Sequence, residues 1–210
     1  MTILGNTAKR DMERKEIHTK YKDWFINLKK LPPDDSEEFD ALVEQEESRC
    51  KRGVYVDGVY FSGWMYWHLN HWTIRIDTLD EFGIEVRETT KPELRDNEWV
   101  RMLHLQSCAD DRKGYIEVGG RQGGKSEMEA SYFGWNSILF KNTQNVIICG
   151  NDSDLSLLKD KVDIGLRKLW KGINIPRLDK TWKSNQIRLG YKTPDGENEV
   201  WSYIMIRNAK

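Results

Sequence analysis

The run Tyr115-Ile116-Glu117-Val118-Gly119-Gly120-Arg121-Gln122-Gly123-Gly124-Lys125-Ser126 joins a short apolar segment to a glycine-rich turn that closes on a basic and a hydroxylated residue. Gly119, Gly124, Lys125 and Ser126 satisfy G-x-x-x-x-G-K-[ST], the phosphate-cradling P-loop or Walker A pattern. Tyr115, Ile116 and Val118 read as a strand. Met128, Tyr132, Trp135 and Leu139 then recur at i, i+4, i+7 and i+11, one face of a helix. Strand, glycine loop, helix is the order the chemistry needs. Loop N–H groups and the helix N-terminus surround phosphates, Lys125 reaches the β/γ oxygens, and the Ser126 hydroxyl holds Mg²⁺. The expected nucleotide contacts are therefore Gly119, Gly120, Arg121, Gln122, Gly123, Gly124, Lys125 and Ser126, with Ser126 as the metal contact. The bland alternative is a glycine-rich turn feeding an ordinary helix.

Downstream, Asn145–Cys149 reads as a buried, parallel-type strand, and Gly150–Ser153 turns it into a second helix. In that helix Leu155, Leu158, Val162, Leu166 and Leu169 keep helical spacing. Strand, helix, strand, helix is a βαβα start to an α/β sheet. After Pro176 the pattern turns to strand, at Gln186–Leu189 and Val200–Ile206, with a turn at Pro194-Asp195-Gly196. Between Arg167 and Lys192 stand eight Lys/Arg and one acid, Asp179, interleaved with Trp170, Trp182 and Tyr191. Two readings of this stretch stand together: a grip on a nucleic-acid backbone, and a solvated face with packing aromatics. The first predicts DNA contacts from Arg177, Lys180 and Lys183.

Upstream, Asp96 is the expected cap of a helix running to about Ala109, with Trp99, Met102, Leu103 and Gln106 on one side. A helix in this place often lies beside a nucleotide base, but Trp99 and Gln106 are read as packing residues. Val54–Phe61 is a hairpin signal, with Asp57-Gly58 as a two-residue turn, and Gly63–Asn70 reads as an aromatic-rich helix. Further strands are expected at 72–77 and 83–89. Asp34–Glu47 holds eight acids and no base, and reads as a short acidic surface helix with a capping box at Asp35 and Glu38. Residues 1–31 are mildly basic and carry Trp24, Phe25, Ile26 and Leu28, and read as a helix that docks on something or a loosely held arm. His68 and His71 lack a Cys or acid at ligand spacing, so a packed or interface pair is expected rather than a metal site, and the same holds for His104 with Cys108.

A net charge of -1 over 210 residues gives no global attraction to nucleic acid or membrane, so any such surface is local. Hydrophobic content of 38% with nine Trp and eight Tyr supports a sizeable core. No apolar run is long enough to span a bilayer, and the N-terminus lacks signal-peptide layout. Three isolated cysteines suit a reducing compartment. A hydrolysing P-loop enzyme also needs an apolar strand ending in Asp, the Walker B element. No segment supplies it, which leads us to expect a fragment or a fold completed by a second polypeptide.

At Gly120-Arg121-Gln122-Gly123-Gly124-Lys125-Ser126 the chain resembles the ATPase domain of the large terminase subunit of tailed bacteriophages, whose Walker A loop commonly carries Arg-Gln before x-Gly-Lys-[Ser/Thr]. The order of strand 145–149, the Leu-rich helix, Pro176 and the β segment is similar, as is the aromatic Gly/Asn stretch Gly58–Asn70; the likeness covers 54–210. It implies a DNA-packaging motor that uses ATP and Mg²⁺, in which Lys125 and Arg121 are catalytic and Arg121 answers charge on the γ-phosphate. The partners it implies are double-stranded DNA, the portal protein, the small terminase subunit and further copies in a ring, with no membrane, in the host cytoplasm at the procapsid. The fold expected is an α/β P-loop NTPase domain lacking Walker B over 91–210, preceded by an α+β region with β-hairpins over 1–90. Another P-loop motor, such as a helicase, and a nucleotide-dependent interaction module that does not hydrolyse are the alternatives.

Overall fold

The computed structural model describes residues 30–56, 58–92, 96–111, 113, 114 and 125–209. The chain is mixed α/β. In order it runs α1 (Glu37–Arg52), β1 (Val54–Val56), β2 (Val59–Phe61), α2 (Gly63–Asn70), β3 (Ile74–Leu79), β4 (Glu85–Thr90), α3 (Asp96–Asp110), α4 (Lys125–Leu139), β5 (Gln144–Cys149), α5 (Asp152–Arg167), a 3₁₀ turn (Lys171–Ile173), β6 (Gln186–Lys192) and β7 (Asn198–Asn208). Among the described residues no helix is long and apolar enough to cross a membrane. The mildly basic stretch with Trp24, Phe25, Ile26 and Leu28 and the strand expected at Tyr115–Val118 lie outside the described residues.

The first hairpin pairs Val56 with Val59 and Val54 with Phe61, the register that a two-residue turn imposes. Gly58 sits at φ +81°, in the left-handed region such a turn requires; Asp57 lies outside the described residues. The second hairpin, β3–β4, starts two residues later than expected and pairs Ile74 with Thr90 through to Leu79 with Glu85.

Helix α1 corrects two expectations. Its cap is Ser36, whose side chain accepts from the Phe39 N–H at 3.2 Å, rather than Asp35. The acids Glu37, Glu38 and Asp40 open it, and Arg49, Lys51 and Arg52 close it, which suits the helix dipole at both ends. Nor is it a short surface helix: it continues to Arg52 and buries Glu46 completely. Polar partners make that burial tolerable. The Glu46 carboxylate accepts from Tyr66 Oη at 2.7 Å, from Arg49 Nη1 at 2.6 Å and from His71 Nε2 at 3.2 Å. Burial pushes the Glu46 carboxyl up, but the hydrogen bonds from His71 and Tyr66 outweigh it and bring it below its ordinary value. Burial pushes His71 down, so the pair is a carboxylate accepting from a neutral imidazole. His68 and His71 are thus packed residues, as their sequence context predicts: both are buried.

Helix α2 is enclosed on every side: Gly63 through Leu69 are all buried. Trp72 follows it and wedges between two later helices. A Cβ on Gly134 of α4 would stand 2.3 Å from the Trp72 ring, and one on Gly165 of α5 only 2.1 Å from it, so only glycine admits the indole at either place. Trp135 of α4 donates its indole N–H to the Cys50 carbonyl at 2.7 Å, tying α4 to α1. One continuous core cluster results, running from Phe39 to Ile206.

The third sheet has the order β5-β7-β6, with β5 parallel to β7 and β6 antiparallel to it. Strand β5 was expected to be buried on both faces, and it is not. Its burial alternates: Ile147 and Cys149 face the core, while Val146 and Ile148 are exposed. Helices α4 and α5 pack against this sheet, and the inner positions Ile187, Leu189, Ile204 and Ile206 are fully buried. The Glu127–Lys161 ion pair joins the two helices.

Candidate functional site

Lys125 and Ser126 occupy the first turn of α4. Met128, Ala130, Ser131, Gly134, Trp135, Ile138 and Leu139 bury the inner side of that helix. The expected stripe of Met128, Tyr132, Trp135 and Leu139 is therefore inside, with Tyr132 half-buried and set edge-on to Trp64 at 5.0 Å between ring centroids. Packing thus holds the helix start in place while Ser126 remains exposed. Gly119, Gly120, Arg121, Gln122, Gly123 and Gly124 lie outside the described residues.

Two open clefts flank this helix start. The larger, of about 500 Å³, is lined by Lys125, Ser126, Glu129, Tyr132 and Phe133 of α4, Arg101 and Leu105 of α3, Trp64, and Val146–Ile148 of β5. Its size falls in the range of small-ligand sites, and its walls combine aromatic and aliphatic surface with a few convergent polar groups. The smaller, of about 220 Å³, shares Ser126, Glu129, Ile147 and Ile148 and continues to Cys149, Gly150 and Asp154. Both lie toward the carboxyl end of a parallel strand, where open α/β sheets bind their ligands. A cation and a hydroxyl on one helix turn suit phosphate oxygens and a hard divalent cation respectively, so the residues present fit a Mg²⁺-nucleotide.

Two carboxylates in these clefts escaped the sequence reading. Glu129 lies three residues after Ser126, so helical spacing alone brings it to the same side. Asp154 had no such signal; it reaches the smaller cleft because Asn151 caps α5, accepting from the Asp154 N–H at 2.9 Å. Burial raises the Cys149 thiol, and Asp154 and Glu129 raise it further, which marks both carboxylates as neighbours of the β5 terminus.

Of the two residues read as packing, Trp99 packs and Gln106 does not. Trp99 is half-buried edge-on to Phe61 at 4.9 Å, and Gln106 donates to Asp110 at 2.8 Å on its own helix. Met102 is fully buried, but Leu103 turns outward and Leu105 takes its place beside the core. His104 and Cys108 stand 3.9 Å apart on the helix surface.

In the basic stretch most cations are already held by carboxylates. Arg177 pairs with Asp163 at 2.8 Å, and Trp182 donates to the same oxygen at 3.1 Å. Arg188 forks onto both oxygens of Asp179, each at 2.8 Å, and Lys183 joins at 3.3 Å. The Arg188 contact holds the Asp179 carboxyl down to about 2. Arg167 pairs with Asp163 and Lys171 with Asp34. Of the three residues expected to meet DNA, Arg177 is thus a half-buried brace and Lys183 is engaged, while Lys180 is exposed.

A scan against protein-family models finds no match for this chain, and a search of the curated proteins finds none.

Proposed function

We propose that this chain is the ATP-binding part of a terminase-like DNA-packaging motor, built on an α/β P-loop domain. The observation that carries the reading is the Lys125-Ser126 pair on the first turn of α4, beside a 500 Å³ cleft whose opposite wall is a parallel strand. Bound Mg²⁺-ATP supplies a phosphoanhydride whose cleavage can drive motion. The chain's own part is to hold it. Lys125 neutralises phosphate oxygens, Ser126 contributes a metal ligand, and N–H groups at the α4 terminus donate to phosphate oxygens. The aromatic and aliphatic wall of Trp64, Tyr132, Phe133 and Leu105 excludes water from one side. Arg121 supplies the charge that answers phosphoryl transfer, and its loss in a complete enzyme lowers kcat on the order of 10³-fold. Double-stranded DNA, the portal protein, the small terminase subunit and a ring of copies follow from the terminase resemblance.

The test is equilibrium binding of Mg²⁺-ATP to the 210-residue chain and to its Lys125→Ala variant, with melting temperatures for both. Binding is expected to be weak at most, with any shown by the parent lost in the variant without loss of thermal stability, together with negligible turnover because no segment of the sequence supplies a Walker B strand. Equal binding by both proteins overturns the phosphate role of Lys125. Robust steady-state turnover overturns the incomplete-site reading, and Glu129 then becomes the first residue to replace.

A further inference from the structure

A cavity of about 200 Å³ opens among α1, the end of α4, the 3₁₀ turn and the β6–β7 pair, with Glu47, Ile138, Ile173, Asn174, Tyr191 and Trp201 in its wall. Pockets that enclose a whole small molecule run to roughly 300–1,000 Å³. This one is smaller and suits a single side chain inserted from outside. Its chemistry selects the kind. Glu47 is the only charged side chain in the wall, Asn174 adds an amide, and two aromatic rings stand with them. Burial raises the Tyr191 hydroxyl, and Glu199 and Glu47 raise it further, so both carboxylates are neighbours of that ring. Carboxylates beside π faces favour a cation. The Trp201 ring already takes one, since Lys141 Nζ stands 5.6 Å from its centroid.

The lysines near the mouth do not fill the cavity. Lys141 is held by Glu199 at 2.8 Å, Lys51 by Glu47 one helical turn away, and Lys171 turns to Asp34 and the Phe39 ring. The pairs of Glu47 and Glu199 are exposed, so they contribute little and exchange readily, and a carboxylate accepts from more than one donor. Among cations a guanidinium fits best. It is planar, weakly hydrated and stacks on aromatic faces, and its fork of N–H donors can serve a carboxylate and an amide oxygen at once. An ammonium is a compact, strongly hydrated point charge.

We propose that this cavity receives the guanidinium of an arginine side chain presented by a partner polypeptide, held by Glu47 and the rings of Tyr191 and Trp201. The inference is independent of nucleotide binding, because Ile138 and Leu139 lie at the opposite end of α4 from Lys125 and Ser126.

Chemical-shift titration of the isotopically labelled full chain with arginine blocked at both termini tests it. Saturable binding is expected, with a dissociation constant on the order of 1 mM, and the Trp201 indole signal should move with it. Blocked citrulline keeps the shape and loses the charge, and is expected to bind about tenfold more weakly. Glu47→Gln and Tyr191→Leu should each lower affinity for blocked arginine about tenfold, with circular dichroism confirming that both fold. Glu81→Gln, at an exposed acid of the β3–β4 turn, should leave it unchanged. Free arginine brings an α-carboxylate toward Glu47 and Glu199 and is expected to bind more weakly than the blocked form. Absence of saturable binding in the millimolar range, equal binding of citrulline, or affinity unchanged in both Glu47→Gln and Tyr191→Leu each overturns the proposal. Free arginine binding as tightly as the blocked form overturns its polypeptide source.

Discussion

Helix α2 with Trp72 and the three-stranded sheet solve the problem of burial in opposite ways. Around α2 every side is covered: seven consecutive residues are buried, and Trp64, Trp67 and Trp72 are almost wholly enclosed. Their three indole N–H groups find no acceptor among the described residues, so shape and apolar area hold this block together. In β5 burial switches with each residue, from 7% exposure at Ile147 to 69% at Ile148. An element enclosed all round offers a ligand little: of α2 only Trp64, 1% exposed, reaches the larger cleft. One that keeps a face open can wall a cleft, and β5 walls both clefts beside Ser126.

The largest effect expected from breaking the enclosed block is that of Trp72→Ala. It empties the wedge between Gly134 and Gly165 and removes an indole that no neighbour can replace. A loss of about 3–5 kcal/mol is expected, measured as a shift in the urea midpoint. A loss below about 1 kcal/mol would mean that α4 and α5 close over the gap.

Next comes the polar seam of the same block. Glu46→Ala leaves Tyr66 Oη and His71 Nε2 buried without their acceptor, and about 3 kcal/mol of destabilisation is expected, in the range for breaking a buried charged contact. Glu46→Gln keeps an acceptor oxygen and should lose clearly less. Equal losses for the two would assign the effect to packing instead of hydrogen bonding.

The seam also makes a pH prediction. Burial takes His68 down to about 3 and lowers His71 as well, so the unfolded chain binds their protons first as pH falls from the ordinary histidine value. Stability is then fully present above about pH 6.5 and is lost toward pH 3, at about 1.4 kcal/mol per pH unit for His68 alone. Glu46, held below its ordinary value, adds a loss of the same sign at the acid end. His68→Phe should flatten the slope of urea midpoint against pH between 6 and 4. An unchanged slope would remove His68 from the account.

The smallest effect sharpens the contrast within the sheet. Ile147→Ala should cost about 2–4 kcal/mol and Ile148→Ala no more than about 0.5 kcal/mol, although the residues are adjacent and chemically identical. Similar costs for both would show that the outer face of β5 is covered in solution.

Local signals carried much of this fold because they depend only on short-range sterics and period. Asp57-Gly58 between β-prone triplets announced the first hairpin, and the spacing of Leu155, Leu158, Val162 and Leu166 announced α5. Met128, Trp135 and Leu139 announced which side of α4 turns inward. What these signals lack is any record of the partner. An acid-rich helix reads as a surface helix until Tyr66 and His71, 20 and 25 residues along the chain, are folded onto Glu46. An apolar run such as Asn145–Cys149 reads as doubly buried until the helices are seen to cover one face. Arg177 reads as one cation in a basic run, and only the fold brings Asp163, 14 residues away, onto it. Gly134 and Gly165 carry no motif at all; only the Trp72 ring, brought between them by tertiary packing, makes glycine necessary there. The sequence by itself determined periodicity and turns. Tertiary structure alone decided which charges are satisfied and which faces stay open, because both depend on groups distant in the chain.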